Sequence, residues 1–214
     1  MDAPLIIIFP HSDRSGSSPR SPDFSKAGGV LALFPSLSED EGKKSALSEG
    51  YHVLCSSEGN SLTVINDSGM VLLRYSGLHE GEASSEEDFP IFFPGGLLCA
   101  LSFKNDIFLP EHARLLALGG AEFIIFIPPP SKDQSLLEDF ARVRAVENQI
   151  FTALMRSFPD QPLFYGPGGE SLPPQDSLDG GWISLEKRVL LRATKNLSLR
   201  DLRRQEFYHG LTAL

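Results

Sequence analysis

The segment from Gly95 to Pro130 constrains the fold more than any other part of this chain. Its residue pattern indicates a strand at 97–103 and then a tight elbow at 104–106. A helix follows that begins at Pro110 and ends at Gly119–Gly120, and a second strand covers 122–127. A proline in the first helical turn costs no hydrogen bond, because the first amides of a helix have no partner inside it. The segment therefore predicts one βαβ unit with two parallel strands.

The rest of the chain predicts further strands and helices around this unit. We expect buried strands at 5–9, 30–34 and 51–55, a β-hairpin with strands 61–66 and 70–75 and a turn at 67–69, a strand and turn at 163–170, and a strand pattern at 182–191. The longest predicted helix covers 135–157, with an apolar stripe of Leu136, Phe140, Val143, Ile150 and Leu154. A last helix is predicted at 201–207.

Composition limits the classes of function. The 214 residues, 41% of them hydrophobic, suffice for one domain spanning 1–214 with a sizeable core. A formal net charge of −9 disfavours binding to nucleic acid or to an anionic membrane. No stretch approaches the roughly 20 apolar residues of a membrane helix, and the start does not fit a signal peptide, so we expect a cytoplasmic protein. Cys55 and Cys99 predict no disulfide framework or metal site, and no cofactor is expected.

Three separate motifs resemble those of the nitrilase, or carbon–nitrogen hydrolase, family. The elbow and its helix match the family pattern at Asp106, Pro110, Glu111, Arg114, Leu116, Ala117, Gly120, Ala121 and Glu122. A second match is RAVENQIF, at 144–151, and a third is LFYGPGGE, at 163–170. The resemblance extends from about Val30 to Tyr208.

This resemblance implies an α/β fold, a four-layer αββα sandwich with trimmed N-terminal helices. Residues 11–29 are dense in Ser, Pro and Gly and read as a loop where the family has a helix. Residues 36–50 allow at most one short helix, whereas the family has a longer helical segment there. We therefore expect a thinner helical layer on the N-terminal side.

Family catalysis requires a cysteine nucleophile, a glutamate base and a lysine that stabilises the developing oxyanion. The resemblance places Lys104 at the cysteine position, Ser36 at the glutamate position and Gly77 at the lysine position. The elbow has one residue more than the commonest family spacing, which leaves Phe103 or Asn105 as alternatives to Lys104. Neither alternative is a nucleophile, so we predict that hydrolysis by the family mechanism is absent.

Other residues offer few substitutes for the missing groups. Cys99 lies inside a predicted apolar strand and, like Cys55, is expected to be an inert buried thiol. His79 and His112, near a loop or a helix end, are expected to be surface or helix-capping residues. Glu147 is expected to be buried, hydrogen-bonded and structural.

Two roles remain open for Lys104. In the first, it pairs with Asp106 or Glu111, or it fills the family pocket with a solvated charge. In the second, it attacks a carbonyl group as an amine.

The favoured function is a catalytically inactive binding, structural or regulatory subunit. The resemblance implies association through the helices after the elbow and after the second strand, together with the C-terminal tail, as a homodimer or as a heteromer with a related nitrilase subunit. A small-molecule ligand in the family pocket is a further possibility. The alternative function is an amide or nitrile hydrolase, or another carbonyl-directed enzyme, with an altered mechanism that uses Lys104.

Overall fold

The computed structural model describes residues 3–10, 26–34, 37–57, 61–77, 90–130, 133–156, 161–177, 180–199 and 201–202. The strands are β1 (Leu5–Pro10), β2 (Gly29–Phe34), β3 (His52–Ser57), β4 (Ser61–Ile65), β5 (Val71–Tyr75), β6 (Ile91–Phe92), β7 (Cys99–Phe103), β8 (Phe123–Ile127), β9 (Phe151–Leu154), β10 (Leu163–Tyr165), β11 (Gln175–Ser177) and β12 (Gly180–Leu185). The helices are α1 (Glu39–Glu49), α2 (Pro110–Leu118), α3 (Gln134–Asn148) and α4 (Lys187–Thr194).

The strands form two mixed sheets. The first sheet has the order β11-β12-β1-β2-β3-β4-β5, and the second has the order β10-β9-β8-β7-β6. Strands β1, β2 and β3 run parallel in the first sheet, as β7, β8 and β9 do in the second. The predicted βαβ unit is confirmed as β7, α2 and β8, with Cys99 opposite Phe123 and Phe103 opposite Ile127.

Four layers follow from how the apolar side chains divide between the faces of these sheets. Alternate residues of both sheets meet in one central core, which contains Ile7 and Leu31 of the first sheet and Leu101 and Ile125 of the second. The outer face of the first sheet packs against α1, and the outer face of the second packs against α2 and α3. The predicted αββα sandwich is confirmed.

Two pairs of glycines join the sheets where β2 and β7 begin. A Cβ atom on Gly29 would overlap the carbonyl oxygen of Pro94, and one on Gly95 would overlap that of Gly28. Only residues without a side chain allow two backbones to approach this closely. Because β2 and β7 start at the same contact and packed sheets keep their strands within about 30° of alignment, the carboxyl ends of both strands lie at the same end of the sandwich.

The prediction for the longest helix was wrong in length and in its buried face. Helix α3 ends at Asn148, Gln149 takes a left-handed φ of 53°, and Phe151–Leu154 is a strand between β8 and β10. The side-chain amide of Gln149 donates to the carbonyls of Ala193 and Leu197, and its oxygen accepts from the Leu199 amide. Pairing within the sheet overrides the helical periodicity that the sequence carries across this point.

The predicted apolar stripe matches the buried face of α3 only in part, because Phe140 packs against the core of the second sheet while two other members face outward. Helix α3 buries Leu137, Ala141, Arg144, Ala145 and Asn148, whereas Leu136 and Val143 are exposed. The small residues Ala141 and Ala145 allow the helix to lie close to the sheet. A pattern of large apolar residues alone does not identify this buried face.

Two other predictions also need correction or limitation. The strand pattern at 182–191 is a strand only to Leu185, and α4 begins at Lys187. The predicted helix at 201–207 lies outside the described residues beyond position 202, as does most of the predicted loop at 11–29. The single short helix allowed for 36–50 is α1, which opens with a Ser38–Glu41 capping box.

Within the described ranges, no helix combines the length and apolar character needed to cross a bilayer.

Candidate functional site

The candidate site is the elbow at the carboxyl end of β7. Strand β7 passes directly into a 3₁₀ turn, Lys104–Phe108, and then into α2. Lys104 has a φ of 51°, whereas the preceding Phe103 is extended at −119°. A left-handed conformation costs a residue with a side chain about 1–2 kcal/mol relative to the right-handed one. The strained position of the elbow is therefore Lys104.

The Lys104 side chain is half-buried at this end of the sandwich. Its ammonium nitrogen lies 5.3 Å from the centroid of the Phe103 ring, within the range of a cation–π contact. Phe103 belongs to the central core between the sheets. The elbow thus holds a cation against the edge of the apolar core.

A buried polar cluster, formed by Tyr75, Asp106 and His112, holds the elbow from the side of the first sheet. The Tyr75 hydroxyl donates to Asp106 Oδ2 at 2.5 Å, and the Phe103 amide donates to the same oxygen at 3.3 Å. His112 Nε2 lies 3.8 Å from that oxygen, and its ring stacks on Tyr75 with centroids 6.3 Å apart. The cluster links β5, the elbow and α2, so it fixes the elbow relative to both sheets.

This cluster corrects one expectation and adds a pairing that the sequence did not indicate. The expectation of a surface or capping role for His112 is wrong, because its side chain is 2% exposed on the inner face of the first turn of α2. Tyr75 ends the predicted hairpin and Asp106 belongs to the elbow motif 31 residues later, and nothing in their spacing indicates a hydrogen bond between them.

Arg144 of α3 holds the other end of the elbow. Its buried guanidinium donates to the carbonyls of Phe108 at 3.3 Å and Ile107 at 3.5 Å, and to Glu147 Oε1 at 3.0 Å. Its Cζ lies 5.6 Å from the centroid of Phe140. Because both carbonyls belong to the end of the 3₁₀ turn, Arg144 fixes the backbone path that follows Lys104.

Glu147 supports this arrangement as a structural residue. It pairs with Arg144, accepts from the Asn148 amide at 3.4 Å, and its backbone carbonyl accepts from Arg114 at 2.6 Å. The expectation of hydrogen bonding is met, but the side chain is 30% exposed rather than buried. Glu147 therefore links α2 to the end of α3.

The remaining predicted positions divide between the described and undescribed parts of the chain. Gly77, two residues after β5, is buried with a φ of 92°, a conformation that favours glycine. It lies at the same end of the sandwich as Lys104, because Tyr75 at the end of β5 contacts Asp106. Ser36 and His79 lie outside the described residues.

Both cysteine thiols are buried. Burial raises the pKa of Cys55 to about 11, and the nearby carboxylate of Glu39 adds to this effect. Burial raises the pKa of Cys99 well above its usual value, with a smaller contribution from Glu122. Because the thiolate is the reactive form, neither thiol has the properties of a nucleophile at neutral pH. The described residues also include no cluster of His, Cys, Asp and Glu that fits a metal ion.

A second candidate surface, the outer helical face, lies on α2 and α3. It consists of Leu115, Leu118, Leu136, Val143 and Val146, each between 42% and 49% exposed. These residues recur at helical spacing on the sides of the two helices that face away from the sheet. Large apolar residues that share one exposed face are typical of protein–protein contacts.

The family model described as carbon-nitrogen hydrolase matches residues 36–172, well over half of the chain. Among solved structures, a carbon-nitrogen hydrolase from Helicobacter pylori G27 is similar with a TM-score of 0.71 and 14% identity, covering 97% of each chain. The C145A mutant of the Nesterenkonia AN1 amidase has a TM-score of 0.67 and 18% identity, covering 99% of this chain and 98% of its own. The same mutant in complex with butyramide has a TM-score of 0.62 and 17% identity, covering 98% and 97%. No curated protein sequence gives a significant match.

Proposed function

Because this chain belongs to the carbon–nitrogen hydrolase family, we propose that it retains the family fold as a binding, structural or regulatory subunit and does not hydrolyse carbon–nitrogen bonds. The observation that carries the proposal is Lys104 at the left-handed position of the elbow. Strained strand-to-helix elbows are where hydrolases present a nucleophile. This geometry supports Lys104, rather than Phe103 or Asn105, as the residue at the family's cysteine position.

The neighbouring groups support the absence of the family mechanism. Gly77 supplies no cation for a developing oxyanion, and its positive φ disfavours any residue with a side chain. Ser36, at the position of the general base, has no carboxylate. The two buried thiols stay protonated at neutral pH and do not replace the missing nucleophile. We propose a cytoplasmic location, where such thiols remain reduced.

We propose a second copy of this chain as the occupant of the outer helical face. The apolar residues are flanked by Arg142 and Asp139, which pair with each other at 2.8 Å. This internal pairing cancels the charges of the two residues beside the apolar patch, which reduces the local repulsion between two chains of net charge −9. A symmetric dimer requires such a self-complementary surface. Pairing with a related family subunit is the alternative outcome that a mass measurement distinguishes.

Covalent trapping tests for the missing nucleophile. Fluoroacetamide leaves its acetamide moiety on the active-site cysteine of the E41Q mutant of the Nesterenkonia amidase. We expect the intact mass of this chain to remain unchanged after incubation with fluoroacetamide. The Lys104→Cys variant is expected to gain one acetamide group at position 104, which shows that the reagent reaches the elbow. A stoichiometric adduct on the native chain would contradict the proposal.

A second candidate function is carbonyl chemistry at Lys104. The half-buried position of its amine beside an aromatic ring favours this candidate over one that uses the buried cysteines. An amine catalyst forms an imine with an aldehyde or keto acid and releases water, and borohydride reduces the imine to a stable secondary amine. An adduct on Lys104 in peptide mass mapping would support this candidate, whereas an unmodified Lys104 would exclude it. Lys104→Arg is the control, because a guanidinium forms no such imine.

A further inference from the structure

Building on the proposed non-hydrolysing function, we propose that Lys104 is the recognition residue of a binding site for a short aliphatic carboxylate. The site lies at the elbow, where the carboxyl ends of three parallel strands meet.

The conformation of Lys104 is the first observation behind this site. A glycine or asparagine would adopt the left-handed φ of 51° more readily than lysine does. The strained conformation is held by Asp106, which binds the amide before it, and by Arg144, which binds the carbonyls after it. Strained backbone conformations that the surrounding structure holds in place are concentrated at functional positions, which supports a specific use for the residue at 104.

The surroundings of the ammonium indicate the chemistry of the ligand. Phe103, Ile127 and Met155 lie at the carboxyl ends of β7, β8 and β9, and each packs in or against the central core. Ligands of open parallel sheets bind at this end of the strands. A cation beside an apolar wall fits a molecule with an anionic head and a short hydrocarbon tail. A short-chain aliphatic carboxylate has both parts.

The charge of Lys104 selects a carboxylate over the corresponding amide. An ammonium–carboxylate hydrogen bond is assisted by charge on both partners, and an uncharged amide of the same shape lacks this contribution. The effect of one charged hydrogen bond corresponds to an affinity difference of about tenfold or more. Elsewhere the chain has an excess of negative charge, so carboxylates do not accumulate on its surface nonspecifically.

The test is calorimetric titration of the full chain at pH 7 with acetate, butyrate and hexanoate, and with butyramide as the uncharged isostere of butyrate. We expect at least one carboxylate to bind, with butyrate bound at least about tenfold more tightly than butyramide. Lys104→Asn removes the charge while accepting the left-handed φ, and it should weaken carboxylate binding by at least about tenfold. Lys104→Arg should retain most of the affinity, and Lys44→Gln, which removes an exposed charge on α1, should retain all of it.

The inference is overturned if no carboxylate binds in the millimolar range, if butyramide binds equally well, or if Lys104→Asn binds as the native chain does. Circular dichroism and the melting temperature of each variant establish that it is folded. Ammonia is measured in the butyramide titration as well. Its release would overturn the proposed non-hydrolysing function itself, whereas missing carboxylate binding without ammonia would overturn only the carboxylate site.

Discussion

At the scale of single residues, the conformation of the elbow depends on Asp106. Its Oδ2 accepts from Tyr75 on one sheet and from the Phe103 amide on the other, with His112 nearby. The sequence identified Asp106 and Lys104 from the elbow motif, but it did not identify the hydroxyl that supports them. Contacts between residues on different sheets depend on how the sheets pack, which residue spacing does not describe.

The Tyr75–Asp106 hydrogen bond makes a measurable contribution to stability. Tyr75→Phe leaves a buried carboxylate with one donor fewer, so we expect the free energy of unfolding to fall by about 1–3 kcal/mol. Urea denaturation of the two proteins measures this difference. Tyr51→Phe is the matched control: its hydroxyl is in a long 3.4 Å contact with Ser45, and its loss should cost less than about 1 kcal/mol. Equal losses for the two variants would contradict the role of the cluster.

The ion pairs of Glu39 predict that the stability of the fold depends on pH. Hydrogen bonds from Lys43 and then Arg74 lower the pKa of Glu39 to about 2, from an ordinary value of 4.5. Because the folded-state pKa is the lower one, this contribution is fully present above pH 4.5 and is lost as the pH falls towards 2. We expect Glu39→Gln to be less stable than the native chain at pH 7, with a difference that shrinks as the pH falls below 4.5 and is mostly gone at pH 2. A difference that persisted unchanged at pH 2 would exclude this cause.

At the scale of secondary-structure elements, the sequence predicted the βαβ unit well and the region after Asn148 poorly. Proline, paired glycines and two apolar runs define β7, α2 and β8 locally. At Ile150 and Leu154 the apolar periodicity of a helix continues, yet these residues enter a sheet whose partners lie far along the chain. Local pattern cannot distinguish the two outcomes, because pairing between strands decides between them.

The glycine contact between the sheets predicts a steric effect on stability. Gly29→Ala places a methyl group onto the backbone of Pro94, which cannot move without separating β2 from the segment before β7. We expect it to lower the free energy of unfolding by more than about 2 kcal/mol or to prevent folding. Gly119→Ala, whose methyl group would lie 3.0 Å from the end of the flexible Ile91 side chain and no closer than 3.3 Å to backbone, should change it by less than about 1 kcal/mol. If denaturant titrations gave both variants a similar free energy of unfolding, the close contact at Gly29 would be contradicted.

At the scale of the whole molecule, the outer helical face and the elbow lie on the same half of the sandwich. Two residues of this face, Leu136 and Val143, belong to the stripe that the sequence analysis assigned to the core, and their exposure appears only once α3 is seen to pack through Ala141 and Ala145. Helix periodicity identifies an apolar face, but it does not distinguish a core from an interface. The four-layer fold was predictable because its motifs are specific.

If the chain dimerises through this face, a charged substitution there should lower the molar mass of the particle in solution. Val143→Glu places a carboxylate on the outer helical face, and we expect it to convert a dimer to a monomer in size-exclusion chromatography with light scattering. Met70→Glu is the control, because Met70 is exposed at 61% on the β4–β5 hairpin and should leave the dimer intact. A native monomer at tens of micromolar would contradict self-association, as would a dimer that Val143→Glu leaves unchanged.

The proposed function requires that the carbon–nitrogen hydrolase fold of this chain lacks the family's hydrolytic chemistry. The most direct measurement is ammonia release from a panel of small amides and nitriles, including butyramide, by the purified full chain at neutral pH. We predict no release above the buffer blank, for the native chain and for Lys104→Asn alike. Release that scales with protein concentration and disappears in Lys104→Asn would contradict the proposed function, because it would make Lys104 part of a working active site.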